Sequence, residues 1–216
     1  MFSTKYLTIY IAVALICAAA FAAEDTPDKE SAPIGLLLQK RDFADGQINM
    51  MVQNITPGAK GVVVDVDGKR ALQIIVPFAL RQNRMQIQFF LDRNSISLNN
   101  GPYYMVSFLY RDGVPNGLNI NPELLPYWTG NELKGGVAKQ ICKVTDEPDA
   151  EGWCRMQYLF QFDNKEWDGY LLQFRLLLFR DNAVPDTTYE GFLRNLEIRQ
   201  WSDEIGNSFK ARNSKP

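Results

Sequence analysis

The sequence predicts an all-β fold, an antiparallel β-sandwich of the jelly-roll type, and three observations support this prediction. Apolar and polar residues alternate with period two, turn dipeptides separate the alternating stretches, and no stretch carries a sustained helical stripe with caps. Strands that bury one face alternate in this way. Several such strands at hairpin spacing, with few helices, are typical of sandwiches and jelly rolls.

Alternation is clearest in RMQIQFFLD (84–92), RMQYLFQFD (155–163) and YLLQFRLLLF (170–179). In each stretch one parity is apolar, and glutamine recurs on the other. Asp67-Gly68 separates GVVVDV from KRALQIIV, and Asn100-Gly101 separates SISL from YYMVSFLY. Both dipeptides favour tight hairpin turns, so each predicts two antiparallel strands.

The first residues carry the features of an export signal. Residues 7–21 are apolar and uncharged, and residues 20–22 fit the small-x-small pattern that precedes cleavage. We expect a signal peptide at 1–22, a flexible leader at 23–34, a β-sandwich domain at 35–203 and a C-terminal tail at 204–216. The protein would then be secreted or periplasmic, with no membrane span after cleavage; an uncleaved N-terminal anchor is the alternative.

Composition narrows the classes of function. The formal net charge is −2, from 23 basic and 25 acidic side chains, and the chain has no histidine. This balance does not favour a nucleic-acid partner. Catalysis by Ser-His-Asp or Cys-His machinery is excluded, so no catalytic residue is assigned. A glycosidase with two carboxylates stays open as an alternative, as does a polysaccharide lyase.

Two cysteines remain once Cys17 leaves with the signal peptide. Cys142 and Cys154 are expected to form a disulfide, because an even pair in an exported protein favours one. Two reduced thiols are the alternative. Residues 111–152 are rich in proline and glycine and predict a long ordered loop that carries Tyr127 and Trp128.

Five stretches together resemble a known family. KRDFADG (40–46), GKRALQI (68–74), YYMVSFLYRDG (103–113), EGWCRMQYLFQF (151–162) and GFLRNLEIRQ (191–200) are similar, in order and spacing, to motifs of carbohydrate-binding modules of the family 4, 9 and 22 type. The resemblance covers about residues 36–201. It implies a galactose-binding-domain-like jelly roll and a glycan ligand.

The resemblance also carries expectations for single residues. Asp42 and Asp45 match loosely the region where the family often holds a structural calcium, so a calcium site is one expectation. Arg194 stands where the family usually has an acid, and no role is carried over to it. In the closing stretch, Phe192, Leu196 and Ile198 are expected on the core face and Trp201 on the opposite face.

The candidate ligand site combines aromatic platforms with amide side chains, the groups that suit sugar rings and hydroxyls. Trp153 is expected to pack beneath the fold, and Trp167 to serve either as turn packing or as a platform. The predicted ligand-binding residues lie on the loop and on the polar parity of the strands: Tyr127, Trp128, Gln86, Gln88, Gln157, Gln161, Gln173 and Arg175.

These observations predict a secreted, non-catalytic protein that binds a polysaccharide through a β-sandwich face and an aromatic-bearing loop. An exported structural or adhesion domain that binds protein is the second hypothesis, and a small glycan-cleaving enzyme is the third. The sequence makes no prediction of the particular glycan or of the oligomeric state.

Overall fold

The computed structural model describes residues 35–79, 84–91, 103–113, 118–127, 138–162 and 171–213. The predicted signal peptide (1–22) and leader (23–34) lie outside the described residues, as do Trp128, Trp167 and the Asn100-Gly101 turn. Within the described ranges, no helix is long and apolar enough to cross a membrane.

The described residues form eleven strands and one helix. In chain order these are β1 Leu36–Arg41, β2 Met50–Asn54, β3 Lys60–Val66, β4 Lys69–Pro77, β5 Arg84–Leu91, β6 Tyr103–Asp112, β7 Asn119–Tyr127, β8 Lys139–Thr145, β9 Cys154–Gln161, β10 Leu171–Asp181, β11 Thr188–Trp201 and α1 Asp203–Asn213.

The strands form two antiparallel sheets. Sheet A has the order β3-β4-β11-β6-β9-β8, and β1 pairs with the second half of β11; sheet B has the order β2-β5-β10-β7. Side chains from both sheets meet in one apolar core. The all-β sandwich prediction is confirmed.

Alternation along β5 and β10 explains why these strands bury one face. Met85, Ile87 and Phe89 on β5 are fully buried in the core, as are Leu176 and Leu178 on β10. Because side chains of a strand point alternately to opposite faces, the residues between them point outward from sheet B. The core therefore fixes which face of this sheet points away from it, although Phe90, Gln173 and Leu177 on that face are also buried.

The predicted hairpin at Asp67-Gly68 is confirmed. Both residues have positive φ, 54° for Asp67 and 73° for Gly68, as a tight hairpin turn of the primed type requires. The carboxylate of Asp65 accepts a hydrogen bond from the backbone N–H of Gly68 at 3.0 Å. The turn sets the register of β3 against β4.

The predicted long loop at 111–152 is wrong, because strands β7 and β8 lie within it. Pro122 and Pro126 lie in β7. Proline cannot donate to a sheet ladder and is tolerated on an edge strand. Strand β7 is the last strand of sheet B, so the prolines that suggested a loop belong to a sheet edge.

A bulge changes the faces of β11. The register against β6 shifts between Arg194 and Glu197, and Asn195 has a φ of 53°. Leu193 is fully buried in the core, whereas Phe192 packs in a separate cluster on the outer side of sheet A. The placement of Phe192 on the core face is therefore wrong, because one extra residue inverts the alternation before the bulge.

The other expectations for this strand are confirmed. Leu196 and Ile198, which follow the bulge, lie in the core. Trp201 lies on the opposite parity, in a second apolar cluster with Tyr103 and Phe209.

Most of the stretch assigned to a C-terminal tail belongs to helix α1. The Oγ of Ser202 accepts a hydrogen bond from the N–H of Ile205 at 3.4 Å, as an N-cap residue does. Phe209 packs on Trp201 with ring centroids 5.3 Å apart, and Tyr103 Oη donates to Asn207 Oδ1 at 2.7 Å. The helix thus covers apolar side chains on the outer face of sheet A.

Replacing Gly206 with alanine should destabilise the protein. Alanine is the better helix former by about 1 kcal/mol, but its Cβ would lie 2.0 Å from Cδ2 of Tyr103, which is 3 % exposed. Overpacking of this kind costs about 1–3 kcal/mol, so the clash outweighs the propensity. We expect Gly206→Ala to lower the urea midpoint and Ser208→Ala, at an exposed position of the same helix, to leave it unchanged or slightly higher. Equal midpoints for the two variants would contradict the close packing of α1.

The predicted disulfide is wrong, because Cys142 and Cys154 are both free thiols. In the pairing of β8 with β9, Cys142 lies opposite Leu159, which is five residues along the strand from Cys154. Five residues span roughly 16 Å, whereas bridged cysteines have Cα atoms less than about 7 Å apart.

Reduction should therefore leave the thermal unfolding temperature unchanged, and after unfolding Cys142 and Cys154 should both react as free thiols, together with Cys17 in a chain that retains residues 1–22. In the folded state, burial raises the pKa of both thiols, and nearby acids led by Asp112 raise the pKa of Cys154 further. Alkylation of both should be slower than that of free cysteine at pH 8, since the thiolate is the reactive form. An intact mass two units below that of the reduced chain would show that the disulfide forms after all.

Candidate functional site

The strongest candidate site is the face of sheet B that points away from the core, here called the sheet B face. It joins side chains from all four strands of the sheet, at the positions that alternate with core residues. Its members are Met51, Gln53, Gln86, Gln88, Phe90, Asn119, Asn121, Glu123, Leu125, Gln173, Arg175, Leu177 and Phe179.

The register arranges these side chains in rows across the strands. One row runs Met51, Phe90, Arg175, Glu123; the next runs Gln53, Gln88, Leu177, Asn121; the third runs Gln86, Phe179, Asn119. Neighbouring strands lie about 4.8 Å apart, so the members of a row are within reach of one ligand. In the second and third rows, amides lie on both sides of the apolar residues Leu177 and Phe179.

A polar network lies on the β7 side of this face. Arg175 Nε donates to Glu123 Oε2 at 2.6 Å, and Arg175 Nη2 donates to the same oxygen. Asn121 Nδ2 donates to the other oxygen, Glu123 Oε1, at 3.0 Å. The side chains of Arg175 and Glu123 are 26 % and 14 % exposed. Glu123 is therefore fixed in place, and the guanidinium keeps further N–H groups for a ligand.

Gln173 adds an acceptor that lacks a partner. The residue is 7 % exposed, and no hydrogen bond reaches its Oε1 from the described residues. Buried polar atoms are nearly always hydrogen-bonded, so an unpaired amide oxygen is a candidate ligand contact. It lies on β10 beside Leu125, one row from Arg175.

A second ion pair lies at the end of the face where β5 begins and β10 ends. Arg84 Nε lies 2.9 Å from Asp181 Oδ1, and the Arg84 guanidinium lies 3.9 Å above the ring of Phe179. Both charged side chains are about half exposed. The outer side of the Phe179 ring is thus partly covered by a cation.

The predicted glutamines do not share one surface. Gln86, Gln88 and Gln173, with Arg175, lie on the sheet B face. Gln157 and Gln161 lie on β9 of sheet A, where Gln157 pairs with Ser107 and Val144. Because Tyr158 and Phe160 of β9 fill the core, these two glutamines point outward on the opposite side of the sandwich. The single glutamine-lined surface is therefore wrong.

The two aromatic residues of the predicted loop are only partly described. Tyr127 is the last residue of β7, where its backbone pairs with Leu171. Trp128 follows it outside the described residues. Their role as ligand platforms stays a prediction.

The sequence missed Asn121, Glu123 and Phe90. The signal for the first two was present in NINPELLPY, where polar residues alternate with Ile120 and Leu124. Because Pro122 and Pro126 in the same stretch suggest a loop, this alternation is not interpreted as a strand. The alternation places Phe90 on the parity of Gln86 and Gln88, but only the polar residues of that parity are predicted as ligand contacts.

The proposed calcium residues serve the loop after β1. Asp42 Oδ1 accepts a hydrogen bond from Ala44 N–H at 3.1 Å, and Asp45 accepts from Gln47 N–H and from Asn49 Nδ2. These hydrogen bonds lower the pKa of Asp45. Calcium takes six to eight oxygen ligands, and no group of three acids, cysteines or histidines suited to a metal occurs among the described residues. Both carboxylates are thus engaged within the loop, and the calcium site stays a prediction.

Comparison with known proteins gives similarity at the level of solved structures. No family profile and no curated protein matches the sequence. A xylan-binding domain of the CBM22 type from Paenibacillus barcinonensis is 15 % identical over 80 % of this chain and 99 % of its own, with a TM-score of 0.48. A CBM28 module specific for non-crystalline cellulose is 16 % identical over 77 % of this chain and 96 % of its own, with a TM-score of 0.47.

A Stig cyclase from Fischerella is also similar, at 10 % identity over 81 % of this chain and 93 % of its own, with a TM-score of 0.46. The similarity to carbohydrate-binding modules that the sequence motifs indicate is thus found among solved structures. At these identities the similarity assigns no function, because one fold supports many functions. An assignment of function therefore depends on side chains and not on the fold alone.

Proposed function

We propose that this protein binds a carbohydrate chain on the sheet B face. The observation that carries the proposal is the Arg175–Glu123–Asn121 network on a face that also presents Met51, which is 57 % exposed, over the largely buried Phe90 and Leu177. Fixed polar groups next to an apolar surface are the combination that recognises a pyranose ring, which has hydroxyls at its rim and C–H groups on its faces.

The polar groups of the face match hydroxyls better than they match a single charge. Each amide of Gln86, Gln88 and Asn121 offers both a donor and an acceptor, and a hydroxyl uses both. The charge of Arg175 is matched by Glu123, and that of Arg84 by Asp181. A neutral, extended glycan is therefore the ligand that we propose.

We infer that the protein acts by binding and not by catalysis. Both oxygens of Glu123 are engaged, one by Arg175 and one by Asn121, so this carboxylate is held as a structural anion. We also propose export from the cell, which the apolar run at residues 7–21 supports.

Affinity electrophoresis tests the proposal. The purified domain would be run in gels that contain soluble xylan, mixed-linkage β-glucan or mannan, and we expect at least one polymer to retard it. Affinity should be modest, since each hydroxyl exchanges water for protein at a net gain of about 0.5–1.5 kcal/mol. No retardation by any of these polymers would contradict the proposal and favour a protein-binding role.

A further inference from the structure

A second cluster lies on the outer face of sheet A, away from the sheet B face. Trp153 is 1 % exposed and packs against Val66 and Ala71, with Leu109 and Phe192 at the border of the cluster. Its backbone is fixed by Asp149, whose Oδ1 accepts a hydrogen bond from Trp153 N–H at 2.7 Å. The expected packing of Trp153 is confirmed, although the ring lies outside the core that joins the two sheets.

Two arginines lie over the Trp153 ring. The Cζ atom of Arg194 is 4.0 Å from the ring centroid, and that of Arg111 is 5.1 Å away. Arg111 has an acidic partner, since its Nη1 lies 2.8 Å from Asp67 Oδ2. It also donates to the backbone oxygen of Glu151 at 3.3 Å. The charge of Arg111 is thus compensated by the chain itself.

Arg194 differs from Arg111 in this respect. It is 7 % exposed, and among the described residues no acid lies within ion-pair distance and no acceptor meets its Nε. The indole Nε1 of Trp153 also has no acceptor among the described residues. Arg194 Nε and Trp153 Nε1, on two side chains in contact, are therefore both buried donors that lack an acceptor among the described residues.

The free-energy cost of burying Arg194 indicates that its guanidinium has a partner outside the described residues. A buried ion loses hydration free energy, and a cation over an aromatic ring recovers only part of that loss. A buried donor without an acceptor adds to the cost. The tryptophan ring alone does not offset the burial of Arg194.

We propose that Arg194 and Trp153 form part of an oxyanion site. An oxyanion supplies negative charge to the guanidinium and acceptor oxygens to N–H donors, and guanidinium groups pair well with carboxylate, sulfate and phosphate. A neutral sugar hydroxyl would leave the charge of Arg194 uncompensated. The ligand is therefore either a free inorganic oxyanion or the carboxylate of an acidic sugar. The proposal does not depend on glycan binding at the sheet B face.

Thermal unfolding separates these two sources. The protein would be melted in sodium sulfate, in sodium galacturonate and in galactose with sodium chloride, all at the same ionic strength. We expect sulfate or galacturonate to raise Tm by about 3 °C or more above the chloride control, because a ligand that binds only the folded state stabilises it. A rise with both anions indicates a general oxyanion site, and a rise with galacturonate alone indicates an acidic sugar.

Two variants locate the effect. Arg194→Gln should abolish the anion-dependent rise, whereas Arg199→Gln should keep it. Arg199 lies on the same strand but is paired with Glu197 at 2.9 Å, so it is the matched control. An equal response of wild type to all three solutions would overturn the proposal, as would a response that survives in Arg194→Gln.

A measurement on the wild type covers the case in which Arg194→Gln does not fold. In a ¹⁵N-labelled sample, sulfate should move one indole N–H resonance that chloride leaves in place, and Trp153→Phe identifies that resonance. No selective shift, or a shift of another indole alone, would assign Arg194 a purely structural cation–π role.

Discussion

Phe89→Ala should lower the free energy of unfolding by about 3–5 kcal/mol, the cost of removing a large aromatic side chain from a packed core. Phe89 is fully buried, and its ring crosses from β5 of sheet B to β3 of sheet A. A methyl group built on Gly61 would lie 2.8 Å from Phe89 Cε1, which shows how closely the ring approaches the opposite sheet.

Differential scanning calorimetry measures this effect. For a domain of this size the loss corresponds to a fall in Tm of about 10 °C. Met51→Ala is the control, because Met51 is 57 % exposed on the adjacent strand of the same sheet. Its unfolding free energy should change by less than about 0.5 kcal/mol. Equal stability of the two variants would show that Phe89 does not join the sheets.

Glu123→Gln should weaken both folding and glycan binding. The substitution keeps the shape of the side chain but leaves the Arg175 guanidinium, 26 % exposed, without its anion. Breaking a fully buried pair costs about 3–5 kcal/mol, and partial exposure reduces this to about 2 kcal/mol here. The second variant Glu123→Gln/Arg175→Met should be more stable than Glu123→Gln alone, because it removes the unpaired charge.

The ion pair at the far end of the face provides the matched control. Arg84 and Asp181 are 46 % and 52 % exposed, so Asp181→Asn should cost no more than about 1 kcal/mol. Urea unfolding gives the stabilities, and calorimetric titration with the retarding polysaccharide gives the affinities. If Glu123→Gln behaves like Asp181→Asn in both measurements, the network does not organise the face.

The sequence predicts strands better than it predicts their partners. Alternation along β5 and β10 places Gln86, Gln88 and Arg175 on a solvent-facing side, and the structure agrees. The same alternation along β9 places Gln157 on a polar parity, but no local pattern tells which sheet β9 joins. Sheet membership depends on contacts between distant residues, such as the pairing of β9 with β6 and β8.

Other differences have local causes. A bulge at Asn195 reverses which residues of β11 face the core before it. A single extra residue in a strand cannot be recognised from the alternation of the sequence alone. Helix α1 has only Ile205 and Phe209 at helical spacing toward the sheet, which is too short a stripe to predict a helix. The family resemblance shows Arg194 as a departure from an acidic position, but its contact with Trp153 depends on the three-dimensional structure.

The most direct test of glycan binding on the sheet B face compares two glutamines. Gln88 lies on that face beside Leu177, and Gln157 lies on the outer face of sheet A beside Ser107; both side chains are half-buried. Each would be replaced by alanine, and affinity electrophoresis would be run against xylan, β-glucan and mannan. We expect Gln88→Ala to weaken binding about fivefold, the loss of one hydrogen-bonding amide, and Gln157→Ala to bind like wild type. Undiminished binding by Gln88→Ala, or an equal loss in Gln157→Ala, would contradict the assignment of the ligand to sheet B.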